Sequence, residues 1–235
     1  VRERVQVFTH PLWMLMIAGL HIFTGEVYLT SIFLSVFLSV SAVALFIVLE
    51  KNNPAIWLGV IALAFSSAFV DYSTSGLENP LSHILLMTFI LCFYHFIGAE
   101  RNQEKILLWT SIMAGLGCLN RLDYVLFYAP PLAYLVLKSS DHWKALLTVA
   151  VGFLPVTVWI VFSTVYYGFP FPNTYYAKLN NWLTKRELFI QGMIYIRHTF
   201  LNDPVSGIIL VAGLVMNFIN RSWERSILTL GGVLY

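Results

Sequence analysis

Of the 235 residues, 58% are apolar and only 11% are Asp, Glu, Lys or Arg, against about a quarter charged in soluble domains. Such a chain lacks the polar surface to cover itself in water, so lipid must solvate much of its exterior, where helices satisfy their own backbone hydrogen bonds and open strands do not. The net charge of +2, with cations in short loops rather than along a stripe, excludes a typical nucleic-acid-binding module.

The expected fold class is all-α, a polytopic transmembrane helical bundle. A bilayer core about 30 Å thick takes roughly 20 apolar residues to cross as a helix. The run 11–23 opens at His10-Pro11 and closes at Thr24-Gly25-Glu26; it is too short to span and is expected to lie at the interface. Apolar stretches nearer to span length follow at 27–49, 54–70, 81–98, 106–119, 124–137, 145–167 and 204–220, and an eighth begins near Ser226. The 106–119 and 124–137 runs are short, and Pro130-Pro131 in the second points to a tilted or kinked pair. Residues 189–200 mix apolar side chains with Arg197 and His198, as in an amphipathic helix lying on the surface. About seven membrane helices and two interfacial ones result. They form one transmembrane core over 27–220, with 1–10 the end of an outer loop and 168–203 an outer loop containing the amphipathic helix. The chain starts at Val1 without an initiator Met and ends within an apolar run, so it is expected to be a fragment of a longer protein, truncated at both ends.

Orientation follows from the basic residues of short loops. Lys51, Arg101, Lys105, Lys138, Lys144, Arg221 and Arg225 fall in alternate loops, expected to be cytoplasmic, whereas the intervening loops hold only Arg121. The outer face then gathers Arg2, Glu3, Arg4 and His10, Asp71, Glu78 and Asn79, Arg121 and Asp123, and Asn173, Tyr175, Tyr176 and Lys178. Ionisable groups near membrane depth are expensive and so mark function by default. Arg121 joins two apolar runs, where it could receive a lipid-linked phosphate or simply pair with Asp123. Asp71 and Glu78 share one outer loop; either could deprotonate an acceptor hydroxyl, or the loop could be a solvated turn. The aromatic stretch from Tyr166 to Lys178 is an interfacial belt or the lining of a sugar site, with Lys178 against phosphate.

His21, His83, His95, His142 and His198 show no repeated metal-ligand spacing, so no metal site is expected. Cys92 and Cys118 sit in apolar runs as small hydrophobes. No glycine-rich phosphate loop occurs, which argues against nucleotide sugars or ATP as substrates.

Four stretches resemble bacterial GT-C membrane glycosyltransferases. Arg2-Glu3-Arg4-Val5 through Thr9-His10-Pro11-Leu12-Trp13 is similar to the end of that group's first outer loop. Ser75-Gly76-Leu77-Glu78 is similar to its Ser-Gly-Leu/Met-Glu loop, Asn120-Arg121-Leu122-Asp123 to its Thr-Arg-Pro-Asp/Glu element, and the stretch from Tyr167 to Lys178 to its Tyr-Gly-x-Pro-x-Pro-Asn-Thr-x-Tyr-Ala-Lys loop. The subgroup most resembled is the mycobacterial terminal arabinofuranosyltransferases and their Gram-negative relatives. Leu122 stands where the family often has Pro, and Val7 where Gly or Ala is usual.

The resemblance implies a polyprenyl-phosphate sugar donor, which serves as substrate rather than cofactor. It implies inverting transfer to a cell-envelope glycan or glycolipid at the outer, periplasmic face of the bacterial inner membrane. Arg121, Lys178 and Arg4 would bind the donor phosphate; Glu78, Asp123, Asn173, Tyr175 and His10 would position substrate. The family's general base lies earlier in that first outer loop, upstream of the stretch that Arg2-Glu3-Arg4-Val5 resembles, so this fragment is expected to be inactive, with Asp71 or Glu78 as fallback bases. The alternatives are a secondary transporter, which should show inverted repeats, and a non-catalytic scaffold or regulator of the same fold.

Overall fold

The computed structural model describes residues 4–49, 54, 56–179, 184–219 and 222–235; the side chains of Leu49, Lys178 and Leu179 lie outside the description. The described residues form α-helices and one short 3-10 turn, without strands, as the all-helical expectation requires. Helix α1 (Pro11–Thr24) is followed by α2 (Tyr28–Leu49), α3 (Ile56–Phe65), α4 (Ser67–Thr74) and α5 (Asn79–Gly98). After α6 (Gln103–Asn120) and the 3-10 turn Leu122–Tyr124 come α7 (Val125–Lys138), α8 (His142–Gly152) and α9 (Leu154–Tyr167). Helices α10 (Asn173–Leu179), α11 (Lys185–Asn202), α12 (Pro204–Ile219) and α13 (Trp223–Leu234) complete the chain.

Among the described residues, helices α2 and α5 are by themselves long and apolar enough to cross a membrane, and three bent pairs bring the number to as many as five. Their outward faces carry large exposed apolar side chains such as Phe33, Phe37, Val165 and Phe218, the surface that lipid rather than water solvates. The short α1 is mostly apolar, and Trp13 packs with Leu38 of α2 and Leu81 and Leu85 of α5.

Two expected spans are broken. The 54–70 stretch divides into α3 and α4 with a 68° bend. Ser66 leaves the helical conformation, and its hydroxyl accepts the Phe69 N–H to cap α4, so the interruption leaves that donor satisfied. Asp71 consequently sits within α4 rather than on an outer loop. The 145–167 stretch bends by 53° between α8 and α9, where Pro155 lacks the N–H to continue the ladder and instead opens a new helix. Conversely, α6 extends beyond the short run expected for it, starting at Gln103. Helix α7 runs continuously through Pro130 and Pro131. Pro131 cannot donate to the Phe127 carbonyl one turn back, and Gly231 of α13 packs directly against that carbonyl.

Antiparallel α5 and α6 form the centre, flanked by α2, α8 and α9. Phe89, Phe93, Phe96, Tyr128 and Leu135 are fully buried there, and Phe89 meets Tyr128 edge-on with ring centroids 4.7 Å apart. Close approach of α6 to the α8–α9 joint depends on two glycines. A Cβ on Gly115 would lie 2.5 Å from the Gly152 carbonyl oxygen, so neither position accepts a side chain without separating the helices. The amphipathic stretch is found as the longer α11, exposed along its length and opened by a reciprocal capping box between Thr184 and Glu187.

Candidate active site

The N-terminus of α5 and the C-terminus of α6 lie at the same end of the antiparallel pair, and there the sequence-distant polar residues converge. Glu78 precedes Asn79-Pro80 at the start of α5 and is only 6% exposed. Its Oε1 lies 3.2 Å from His10 Nε2 and 3.4 Å from Arg121 Nη1. Arg121 leaves the end of α6 in an extended conformation and grips Asp123 with two parallel donors, Nη2 to Oδ2 at 2.9 Å and Nε to Oδ1 at 3.3 Å. The ion pair weighed as an alternative for Arg121 is therefore formed, and Glu78 joins it. The Asp123 hydrogen bond, with the nearby Tyr235, Asp123 and Glu78, raises the guanidinium above its ordinary pKa despite its partial burial.

Asn120 holds the corner together. Its Nδ2 donates to the Glu78 carbonyl at 3.1 Å and to Ser82 Oγ at 2.9 Å, while its own carbonyl stands 3.1 Å from His10 Nδ1. A carbonyl can only accept, so this contact is a hydrogen bond in the tautomer whose proton is on Nδ1. His10 thus spans α5 and α6 from the segment ahead of α1.

That segment is tied from the other side as well. Gln6 N–H donates to Asn173 Oδ1, and Asn173 N–H donates to the Gln6 carbonyl, both at 3.3 Å. Gly168, at φ 85°, ends α9 in the left-handed conformation glycine tolerates and turns the chain into the aromatic loop. Phe171 packs on Tyr175 with centroids 5.1 Å apart, and Tyr175 is 44% exposed.

His10, Glu78, Arg121 and Asp123 are therefore brought together, with Asn173 linked to them through the segment that carries Gln6 and His10. Three candidates stand elsewhere. Arg4 places its guanidinium carbon 4.3 Å from the centre of the Tyr166 ring and makes no ion pair among the described residues. Asp71 is exposed on α4. Lys178 lies on α10, with its side chain outside the description; Arg2 and Glu3 also lie outside the described residues. At the far ends of α5 and α6 the ion pairs are different ones: Lys144 to Glu104 at 2.6 Å and Lys138 to Glu224 at 3.9 Å. Among the described residues, no three His, Cys, Asp or Glu side chains group as metal ligands do.

Sequence reasoning did not single out Asn120 as the hub, nor Asp203. Asp203, at the joint between α11 and α12, accepts from Ser66 Oγ and Ala68 N–H at 3.0 Å and from Ser206 N–H at 3.1 Å. One carboxylate thereby serves the first turns of both α4 and α12.

A bundle of apolar, partly broken helices, with the His10–Glu78–Arg121–Asp123 cluster at one end, defines a polytopic membrane protein. The chain belongs to the dolichyl-phosphate-mannose-protein mannosyltransferase family, whose profile matches residues 11–167, and with it to the GT-C membrane glycosyltransferases. No curated protein and no solved structure matches it. The family match covers His10's neighbour Pro11 through Tyr167, and so includes Glu78, Arg121 and Asp123.

Proposed function

We propose that the protein is a GT-C glycosyltransferase core that binds a polyprenyl-phosphate sugar at the periplasmic face of a bacterial inner membrane. The sugar passes to an acceptor hydroxyl on a cell-envelope glycan or glycolipid. The carrying observation is the cluster of Arg121, Glu78, Asp123 and His10, assembled from three distant segments at the end of the bundle opposite Lys105, Lys138 and Lys144.

Arg121 spends one N–H of each terminal nitrogen and its Nε–H on the two carboxylates. One N–H on each terminal nitrogen is left, and that pair suits two phosphate oxygens. The phosphate is the leaving group, so this cation stabilises charge that grows as the glycosidic bond breaks. Inversion follows if the acceptor oxygen attacks the anomeric carbon opposite the departing phosphate while a carboxylate base takes the hydroxyl proton. Glu78, with Oε1 already engaged by two donors, fits a role in holding His10 and Arg121 better than that of proton acceptor. Lys178 and Arg4 flank the aromatic loop and would draw the anionic donor toward it. The likeness of the motifs to terminal arabinofuranosyltransferases makes a pentofuranose the first sugar to test beside mannose.

Two measurements test the reading. Purified protein in lipid nanodiscs should bind polyprenyl-phosphate arabinofuranose or polyprenyl-phosphate mannose saturably, and Arg121→Ala should weaken that binding. Cysteines placed at Leu77 and Lys105, with Cys92 and Cys118 replaced, should label with an impermeant reagent from opposite sides, Leu77 from outside. Labelling from the same side, or no binding of either donor, overturns it.

A further inference from the structure

Behind the segments that carry the ion-pair cluster lies a cavity of about 50 Å³. Thr9 and Pro11, on either side of His10, line it, as do Leu119 and Leu122, on either side of Asn120-Arg121, with Trp159 and Phe171 closing the wall. Gln6 lines it too, and is 2% exposed. Its backbone is fixed by the two bonds to Asn173, yet neither Nε2 nor Oε1 of its side chain has a hydrogen-bond partner among the described residues. A buried primary amide left unpaired costs stability that a leucine of similar size would not. Such an orphan beside a cavity marks a place where something else completes the hydrogen bonding.

We propose that Gln6 and this cavity form a subsite for the hydroxymethyl arm of the donor sugar. The volume exceeds the roughly 10–15 Å³ that one water needs but is too small for a sugar ring. It therefore takes a substituent of a few heavy atoms. The walls are largely carbon and no charged side chain lines them among the described residues, so a carboxylate or ammonium would find no counter-charge there. A CH2OH group suits it: the methylene packs against Leu119 and Trp159, and the hydroxyl both donates to Oε1 and accepts from Nε2. Because the cavity wall shares its segments with His10 and Arg121, a sugar whose phosphate sits on Arg121 has its ring at the cavity's edge. The inference rests on the donor reading above, and it names Gln6 as a specificity-determining residue within it.

The test uses the protein in lipid nanodiscs with polyprenyl-phosphate arabinofuranose and polyprenyl-phosphate mannose, each beside its analogue bearing CH3 in place of CH2OH. For whichever parent donor binds, the wild type should prefer it to the methyl analogue by about a hundredfold or more, because a site built to bond a hydroxyl leaves its own polar atoms unpaired against the analogue. Gln6→Leu should bind the two forms alike and unfold at a temperature no lower than the wild type. A lower unfolding temperature would mean that the amide serves the fold through an internal water, and would overturn the subsite without any sugar being needed. So would equal binding of the two forms by the wild type, or a preference that survives in Gln6→Leu. Failure of both parent donors to bind would remove the donor reading, and the subsite with it.

Discussion

Glu78 and Arg121 are 43 residues apart in the chain, and their side chains meet with Oε1 3.4 Å from Nη1. Glu78 is the more deeply buried partner, and it also holds His10. Removing a buried acceptor strands the donors that faced it. Glu78→Ala should therefore destabilise the protein by about 1–3 kcal/mol, measured by denaturant unfolding in detergent, and abolish donor binding. Glu78→Gln, which keeps an acceptor oxygen, should restore most of the stability. Equal stability of Glu78→Ala and wild type would show that the cluster contributes nothing to joining α5 and α6.

The α6 contact with the α8–α9 joint should tolerate no added volume. A Cβ at Gly152 meets Ser111 of α6 and the backbone beyond it, and neither can rotate away. Gly152→Val should cost about 1–3 kcal/mol, the range for overpacking a close interface, with the loss read in the same unfolding assay. Gly192→Val provides the control, since no atom of the described residues stands within 4 Å of a Cβ there.

How far these features were legible in the sequence depended on whether their causes are local. Helices α2 and α5 follow from length and hydropathy alone, and their bounds differ little from the expected stretches. The breaks fall inside runs whose composition reads as continuous spans, although their signals are local: Pro155 three residues beyond Gly152, and Ser66 at a serine pair. An apolar average over 20 residues hides both. Glu78, Arg121 and Asp123 were each visible as charges near lipid, but their mutual pairing depends on α5 and α6 being antiparallel neighbours. Asn120, Gln6 and Asp203 carried no local signal, because each acquires its partners, or lacks them, only through tertiary contacts.

Asp203 is the clearest of these. It reaches Ser66 and Ala68 across 137 and 135 residues while also capping its own helix through Ser206. Asp203→Asn keeps the shape but exchanges one acceptor oxygen for a donor, so it should lower the unfolding temperature and expose the joint near Ser66 to proteolysis. Ser206→Ala removes one of several donors and should do less. Equal protease resistance of Asp203→Asn and wild type would show that α4 and α12 are held together by their apolar contacts instead.

The role of Arg121 can be separated from its ion pair. A guanidinium holds phosphate oxygens with two parallel hydrogen bonds where an ammonium offers a point charge. If that contact tightens as the phosphate leaves, Arg121→Ala introduced into the native gene should lower glycosyl transfer by about a hundredfold or more, the scale seen when one preorganised donor is removed. Arg121→Lys should recover only part of it. The bidentate pair with Asp123 supplies the competing account, in which the arginine merely joins the end of α6 to the 3-10 turn. On that account Asp123→Ala would lower both folded yield and transfer as much as Arg121→Ala does, since either change leaves a charge unpaired. On the phosphate account Asp123→Ala frees donors for the substrate and loses far less transfer than Arg121→Ala at equal folded yield. Normal transfer by a well-folded Arg121→Ala protein would leave the phosphate without its proposed partner.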